Sequence, residues 1–372
     1  MAALFFNSAQ LIMRDKKKVL FFLPPSVGGA ERMTITIAKM LPQTEFEVKF
    51  VVVGRTMGDI KKFIPDSYAT RFIKVNYIWL GGTTLIWKIV REERPSIVFS
   101  SLLYLNARLI LVSKICGTKV IVRNNIDLSR TTHKMNILLV RLTYKWVDKV
   151  IAQQEEMHDE IISYTGLPAE KVVTLHNPID VDYIQESLKV ENPFKEDTRD
   201  QYKYIWAARF SPQKGQDLIV RAFEMVHRSR PDAHLYLLGK YDENSPFYKS
   251  IISFIESNNL QEYVHLVGFD SNPYRWMKHS DCFVMPSRFE GLPNSLIDAM
   301  YLGKPVVATR CIPVIDRIVK DGYNGIMVES ENIEALAEGM KKAPLLKDFE
   351  MTYHPASTMD FVSLFRSVSL TT

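Results

Sequence analysis

Only three of the 372 residues are cysteine, Cys116, Cys282 and Cys311, and none belongs to a C-x-x-C pair. That pattern encodes neither a disulfide framework nor a zinc site and fits a reducing, cytoplasmic setting. No uncharged run, residues 75–87 being a typical long one, reaches the roughly 18 to 20 apolar residues of a membrane-spanning helix. Any membrane contact is therefore expected to be peripheral. The apolar opening, residues 1–13, comes before its positive charges at Arg14 and Lys16 to Lys18, the wrong order for a secretory signal. It reads as a tail or a surface segment. The eight histidines form no H-x-x-x-H or H-E-x-x-H pair, so no histidine metal site is expected.

Net charge is also small: 47 Lys and Arg against 42 Asp and Glu give +5, which does not by itself argue for nucleic acid. Its distribution is uneven. Residues 1–150 carry 24 basic and 10 acidic side chains, while the remaining 222 carry 23 and 32. On charge alone the first half suits an anionic partner such as membrane lipid, phosphorylated lipid or nucleic acid. The plainer reading scatters the cations over every face. Lys61, Lys62, Lys88, Arg91 and Arg94, interleaved with Phe63, Trp79, Trp87 and Ile89, make one stretch suited to an interface, or equally to a helix face over a core.

The length and the 47% hydrophobic content are enough for two full cores. Compact apolar runs at 19–23, 48–53, 96–100, 119–122, 149–152 and 172–176 alternate with helical-period stretches such as 31–41 and 132–147. This is the βαβ rhythm of a parallel sheet buried on both faces. At Asn177-Pro178-Ile179-Asp180 the pattern breaks on a turn. The rhythm then resumes with strands expected at 204–208, 234–238, 264–267, 281–285 and 305–308, and helices at 216–228, 248–258 and 294–302. The fold class is α/β: two Rossmann-like, doubly wound domains facing across a cleft, residues 1–177 and 178–347, followed by a segment, 348–372, of poor helical period. Ligands of such sheets bind beyond the carboxyl ends of the strands.

Three strand-to-helix loops carry chemistry. Pro24-Pro25-Ser26-Val27-Gly28-Gly29-Ala30-Glu31 lets a ligand approach backbone at Gly28 and Gly29, next to a helix start that favours anions, or is simply a tight turn. It matches neither the dinucleotide nor the P-loop fingerprint. Arg209-Phe210-Ser211-Pro212-Gln213-Lys214-Gly215 places two cations where a diphosphate could be gripped; surface solvation is the competing explanation. In Glu290-Gly291-Leu292-Pro293-Asn294-Ser295-Leu296-Ile297-Asp298, Asn294 or Ser295 is expected to cap a helix whose first turn bears Asp298. Sugar hydroxyls want carboxylate acceptors, and phosphate oxygens want amides and cations. Asp180-Val181-Asp182 looks like a metal-binding DxD but is read as a helix cap, so no metal is expected.

These segments together with Asp321-Gly322-x-Asn324-Gly325 resemble, in order and spacing, family 4 glycosyltransferases of the GT-B fold, from Lys18 to about Ala343. The resemblance implies a retaining enzyme that moves a sugar from a nucleotide-diphosphate sugar to a glycan or lipid-linked acceptor in surface polysaccharide, lipopolysaccharide or glycolipid synthesis. It implies Arg209 and Lys214 on the diphosphate, Glu290 on the transferred sugar and Asp298, one methylene shorter than the family's usual Glu, on the ribose. Gly28, Gly29, Gly291, Leu292, Asn294 and Ser295 complete the implied donor site. The first domain becomes the acceptor domain, to which residues 348–372 are implied to cross back as a helix, with Arg123 and Asn124 on the acceptor side, where many relatives have a histidine; His133 is nearby but reads as a cap or surface residue. No cofactor, no metal and no nucleic acid are implied, and an anionic inner membrane face is compatible with the basic half. Cys311-Ile312-Pro313-Val314-Ile315-Asp316 departs from the family's Gly-Gly and Pro-Glu pattern. A nucleotide-sugar 2-epimerase and a degenerate, nucleotide-sugar-binding scaffold are the alternative readings.

Overall fold

The computed structural model describes residues 16–76, 81–129, 134–194 and 200–370, which form two compact units. The first takes the chain up to Pro178 and again from Pro355; the second is Ile179–His354.

The first unit is built on seven parallel strands, β1 (Lys17–Leu23), β2 (Phe46–Gly54), β3 (Ala69–Lys74), β4 (Ile97–Ser100), β5 (Lys119–Arg123), β6 (Lys149–Ala152) and β7 (Val172–Thr174), in the order β3-β2-β1-β4-β5-β6-β7. Successive side chains of β1 alternate between two cores, Leu20 and Phe22 entering one, Val19, Phe21 and Leu23 the other. Both faces are covered, which is why the strand reads as an unbroken apolar run. The last helix, Thr358–Leu370, belongs to this unit: Phe365 stacks 5.9 Å from Phe21 and lies 5.8 Å from Phe99. Arg366 adds a two-pronged pair to Glu45 at 2.6 and 2.8 Å. Ser357 and Asp360 close a reciprocal capping box at its start, a local signal beneath the poor helical period. Residues 348–354 stay with the second unit, where Thr352 hydrogen-bonds Asn324 and Ile318.

The second unit carries β8 (Tyr202–Ala207), β9 (Ala233–Leu238), β10 (Val264–Gly268), β11 (Cys282–Met285), β12 (Val306–Thr309) and β13 (Gly325–Val328), all parallel, in the order β10-β9-β8-β11-β12-β13. β8 is flanked by β9 on one side and β11 on the other, so the strand order reverses there. The loops after β8 and β11 leave the same sheet edge side by side, at the topological switch point where open α/β sheets bind ligands.

Several elements differ from expectation. The described part of the helix expected at 132–147 is Lys134–Thr143, followed by a tighter turn, Tyr144–Trp146. β3 and β13 were not foreseen: β3 is an edge strand with mostly solvated side chains, and β13 has four residues. Leu103–Cys116, apolar over most of its circumference, is also a helix. The interleaved stretch near residues 61–94 is mainly a core face, since Ile89 is 5% exposed and Phe63 and Trp87 pack against the core under Arg32 and Arg91; Trp79 lies outside the described residues. Asp180 is the N-cap of the helix Val181–Ser187, its carboxylate accepting from the Tyr183 amide. Asp321, Gly322 and Asn324 shape the turn into β13. Among the described residues, no helix is long and apolar enough to cross a membrane.

Candidate functional site

The two loops at the switch point of the second unit are laced into one structure. Gly215 sits at φ +69°, and an added Cβ there would stand 2.1 Å from the Pro286 carbonyl oxygen, so only glycine allows the loops this approach. The Arg288 amide donates to the Gln213 carbonyl at 2.8 Å, and the Gln213 side chain returns a bond to the Phe289 carbonyl at 3.1 Å. Buried Gln216 braces the first loop from inside, donating to the Arg209 carbonyl and accepting from the Ser211 amide.

This lacing brings Lys214 onto Glu290. Lys214 Nζ lies 2.7 Å from both carboxylate oxygens, and Ser287 Oγ donates to Oε1 at 2.6 Å. Glu290 is 6% exposed, so its charge is tolerable only because these donors surround it. An ammonium has three N–H donors; two point at Glu290, leaving one for a further acceptor. Arg209, by contrast, is exposed, and no ion pair or side-chain hydrogen bond engages its guanidinium among the described residues. Cys311 lies close enough that its thiol, pushed up to about 11 by burial first and by the Glu290 charge second, is also influenced by Lys214. It is therefore a neutral lining group at physiological pH.

A third cation holds the frame. Arg288 makes a bidentate pair with Asp217 at 2.9 and 2.8 Å, bonds the Pro212 carbonyl at 2.5 Å and reaches Glu331. Asp217 foremost, and Glu331 after burial has opposed it, hold this guanidinium well above the ordinary arginine range. It joins the loop after β8, the loop after β11 and the turn beyond β13.

The helix Asn294–Tyr301 starts differently from expectation. Its N-cap is Pro293, whose ring has no acceptor with which to cap it, and the Asn294 amide turns back to the Leu292 carbonyl at 3.0 Å. Asn294 and Ser295 are the first helical residues, and Asp298 is the fifth, just past the first turn expected for it, half-buried, its Oδ2 accepting from Tyr274 Oη at 3.3 Å. Gly291 and Leu292 lie on the approach to this helix, with Leu292 8% exposed. An oriented helix start, the free Arg209 and the remaining Lys214 donor together favour an anion, while Glu290 and Asp298 supply acceptors for hydroxyl groups.

The remaining expected residues belong to the first unit. Gly28 is the N-cap of the helix Gly29–Met40, and its position is pressed by Glu31, whose Oε2 would be 2.7 Å from an added Cβ. Buried Glu31 thus places a carboxylate at that helix start. Arg123 and Asn124, both 1% exposed, lie in a polar network at the ends of β5 and β6: Arg123 donates to Asn177 Oδ1, Tyr144 Oη donates to Asn124 Oδ1 at 2.7 Å, and Gln153 donates to the Asn124 carbonyl at 2.9 Å. His133 lies outside the described residues. The sequence reading missed Ser287, Gln216, Tyr274 and the Arg288–Asp217 pair. Only Ser287, three residues before Glu290, offered a local signal.

The comparisons agree with this architecture. Residues 189–352 match the family model Glycosyl transferases group 1, and residues 27–183 match Glycosyltransferase Family 4. An uncharacterised glycosyltransferase of Methanocaldococcus jannaschii is 30% identical over 299 residues, 73% of each chain. The Campylobacter jejuni N-acetylgalactosamine-N,N'-diacetylbacillosaminyl-diphospho-undecaprenol 4-alpha-N-acetylgalactosaminyltransferase is 25% identical over 348 residues, 88% of this chain and 89% of that one. Among solved structures, Anabaena HepE, crystallised with UDP and glucose, superposes with a TM-score of 0.75 at 18% identity, covering 94% of this chain and 98% of HepE. A putative UDP-N-acetylglucosamine 2-epimerase of Listeria monocytogenes reaches 0.71 at 14% identity, with 95% of each chain covered, so fold alone does not separate the two activities. The sequence matches do: the chain belongs to the family 4 glycosyltransferases, and its two parallel-sheet α/β domains are those of the GT-B fold.

Proposed function

We propose that the enzyme takes a sugar from a nucleotide-diphosphate donor, with retention of configuration and without a metal ion, and passes it to a glycan or lipid-linked acceptor. The observation that carries this reading is the contact of Lys214 with Glu290 in one loop pair beside the unpaired Arg209. Arg209 and the third Lys214 donor hold the diphosphate, assisted by the amides around Asn294 and Ser295. Glu290, fixed by Lys214 and Ser287, accepts from hydroxyls of the transferred sugar, and Asp298, oriented by Tyr274, from the ribose.

In such a transfer the glycosidic bond to the diphosphate breaks as the acceptor oxygen approaches on the same face, and the departing phosphate oxygen takes the acceptor proton. The negative charge that develops on the diphosphate is what the cations stabilise, each donor being worth about 2 to 4 kcal/mol. The acceptor reading rests on relatives such as the Campylobacter enzyme, whose name specifies a diphospho-undecaprenol acceptor. A lipid-linked acceptor places the work at the inner membrane face, with the protein bound peripherally. Assay of the purified protein with nucleotide sugars and a diphosphate-linked acceptor, with and without chelator, tests the reading: transfer that survives the chelator supports it, and strict dependence on a divalent ion overturns the metal-free part.

A further inference from the structure

We infer that the face carrying Met135, Leu138, Leu142 and Trp146 docks on an anionic lipid bilayer. The inference builds on the lipid-linked acceptor reading but stands on different residues. The helix Lys134–Thr143 buries Val140 and leaves Met135, Leu138 and Leu142 56, 49 and 52% exposed. Their spacing of three and four residues aligns them in one stripe. Trp146, in the turn that follows, is 37% exposed, with the Lys145 ammonium 4.7 Å from its ring centre. The helix Leu103–Cys116 packs beside this helix and exposes Leu111 and Ile115 on either side of Lys114, Ile115 to 65%. Isolated exposed apolar residues are ordinary, but rows of them on two adjacent helices mark a contact surface.

Charge selects the occupant. Neither helix, nor the turn after the second, contains a single acid. Exposed Lys114, Arg141 and Lys145 border the apolar rows. Of the nearby acids, Asp148 is held by Lys119 and the Val120 amide and Glu160 by the Leu128 and Ser129 amides, while Asp159 on the adjacent helix Glu155–Thr165 is exposed beside His158. An aromatic and aliphatic stripe on two acid-free helices, with Lys114, Arg141 and Lys145 beside it, matches the boundary between anionic headgroups and acyl chains, where tryptophan and lysine each find a suitable depth. The same surface explains part of the excess of 24 basic over 10 acidic residues in the first 150.

The test is co-flotation of the full chain with phosphatidylcholine vesicles containing roughly a third phosphatidylglycerol, against phosphatidylcholine alone. The wild type should float with the anionic vesicles only and be released by high salt. The double variant Leu138→Ser, Leu142→Ser and the single variant Lys145→Glu should each lower the bound fraction about 10-fold, because both the buried area and the charge are needed. Their circular dichroism and their transfer to a water-soluble acceptor fragment should be unchanged. A wild type that does not float, or variants that float equally well, overturns the inference. So does a wild-type dimer that the double variant converts to monomer, since a second copy then covers the face. Flotation needs no donor, so a failure of the diphosphate reading would appear separately, as lost transfer with intact binding to vesicles.

Discussion

At the scale of single residues, the site works through how few donors are free. Lys214 is divided between Glu290 and whatever anion arrives, and Arg209 is the uncommitted charge. Lys214→Ala should therefore reduce transfer at least ~100-fold. It also leaves the buried Glu290 carboxylate with Ser287 as its remaining side-chain partner, which costs about 1 to 3 kcal/mol of stability. Steady-state kinetics well below the melting temperature separate the two effects, and near-normal turnover in a folded Lys214→Ala protein would remove the lysine from the mechanism. The candidate residues themselves were legible in the sequence because loops after parallel strands announce themselves by glycine, proline and charge. Their pairing was not: Lys214 and Glu290 are 76 residues apart, and only the adjacency of β8 and β11 brings them together.

At the scale of elements, the loops depend on a residue that need not touch substrate. Arg288 spans three segments, so Arg288→Lys, which keeps the charge but not the bidentate geometry, should loosen the Lys214 and Glu290 loops. The expected outcome is a ~10-fold or greater fall in kcat with a smaller change in KM and an unaltered far-ultraviolet spectrum. An unchanged kcat would make the pair purely structural. The edge of the second sheet offers a pH test: His234 Nδ1 and His265 Nε2 are 2.9 Å apart across β9 and β10, and burial first, then the charges of His227 and Lys203, lower the His234 pKa below its ordinary 6.5. Because the unfolded chain then binds the proton more readily, this contribution to stability is whole above pH 6.5 and declines as the pH falls below it. Melting temperature should drop more between pH 7.5 and 5.5 in the wild type than in His234→Gln, a comparison that calorimetry makes directly. The central strands were readable from composition, whereas β3, the helix Leu103–Cys116 and the capping of Asn294–Tyr301 were not. An edge strand is half solvated, an apolar-all-round helix has no stripe, and a proline cap carries no side-chain signature.

For the whole molecule, the chain's return matters: the helix Thr358–Leu370 completes the first unit although its sequence follows the second. Phe365, fully buried against Phe21, Phe46 and Phe99, is the keystone of that contact. Phe365→Ala should destabilise the first unit by about 3 to 5 kcal/mol, seen as a lower denaturant midpoint for that unit. Little change would show that the helix is dispensable to it. The uneven charge, visible in the sequence, acquires a location only in the structure, where the stretch near residues 61–94, readable either as an interface or as a helix face over a core, proves to be mainly the latter, and the helices without acids are Leu103–Cys116 and Lys134–Thr143. The most direct test of the central claim is titration calorimetry of nucleoside diphosphates, uridine and guanosine both, into the wild type, Arg209→Gln and Lys214→Gln, each in chelator and in magnesium. Binding should be equally tight in the two buffers and about 10-fold or more weaker in each variant; binding that requires magnesium, or that neither substitution weakens, would contradict it.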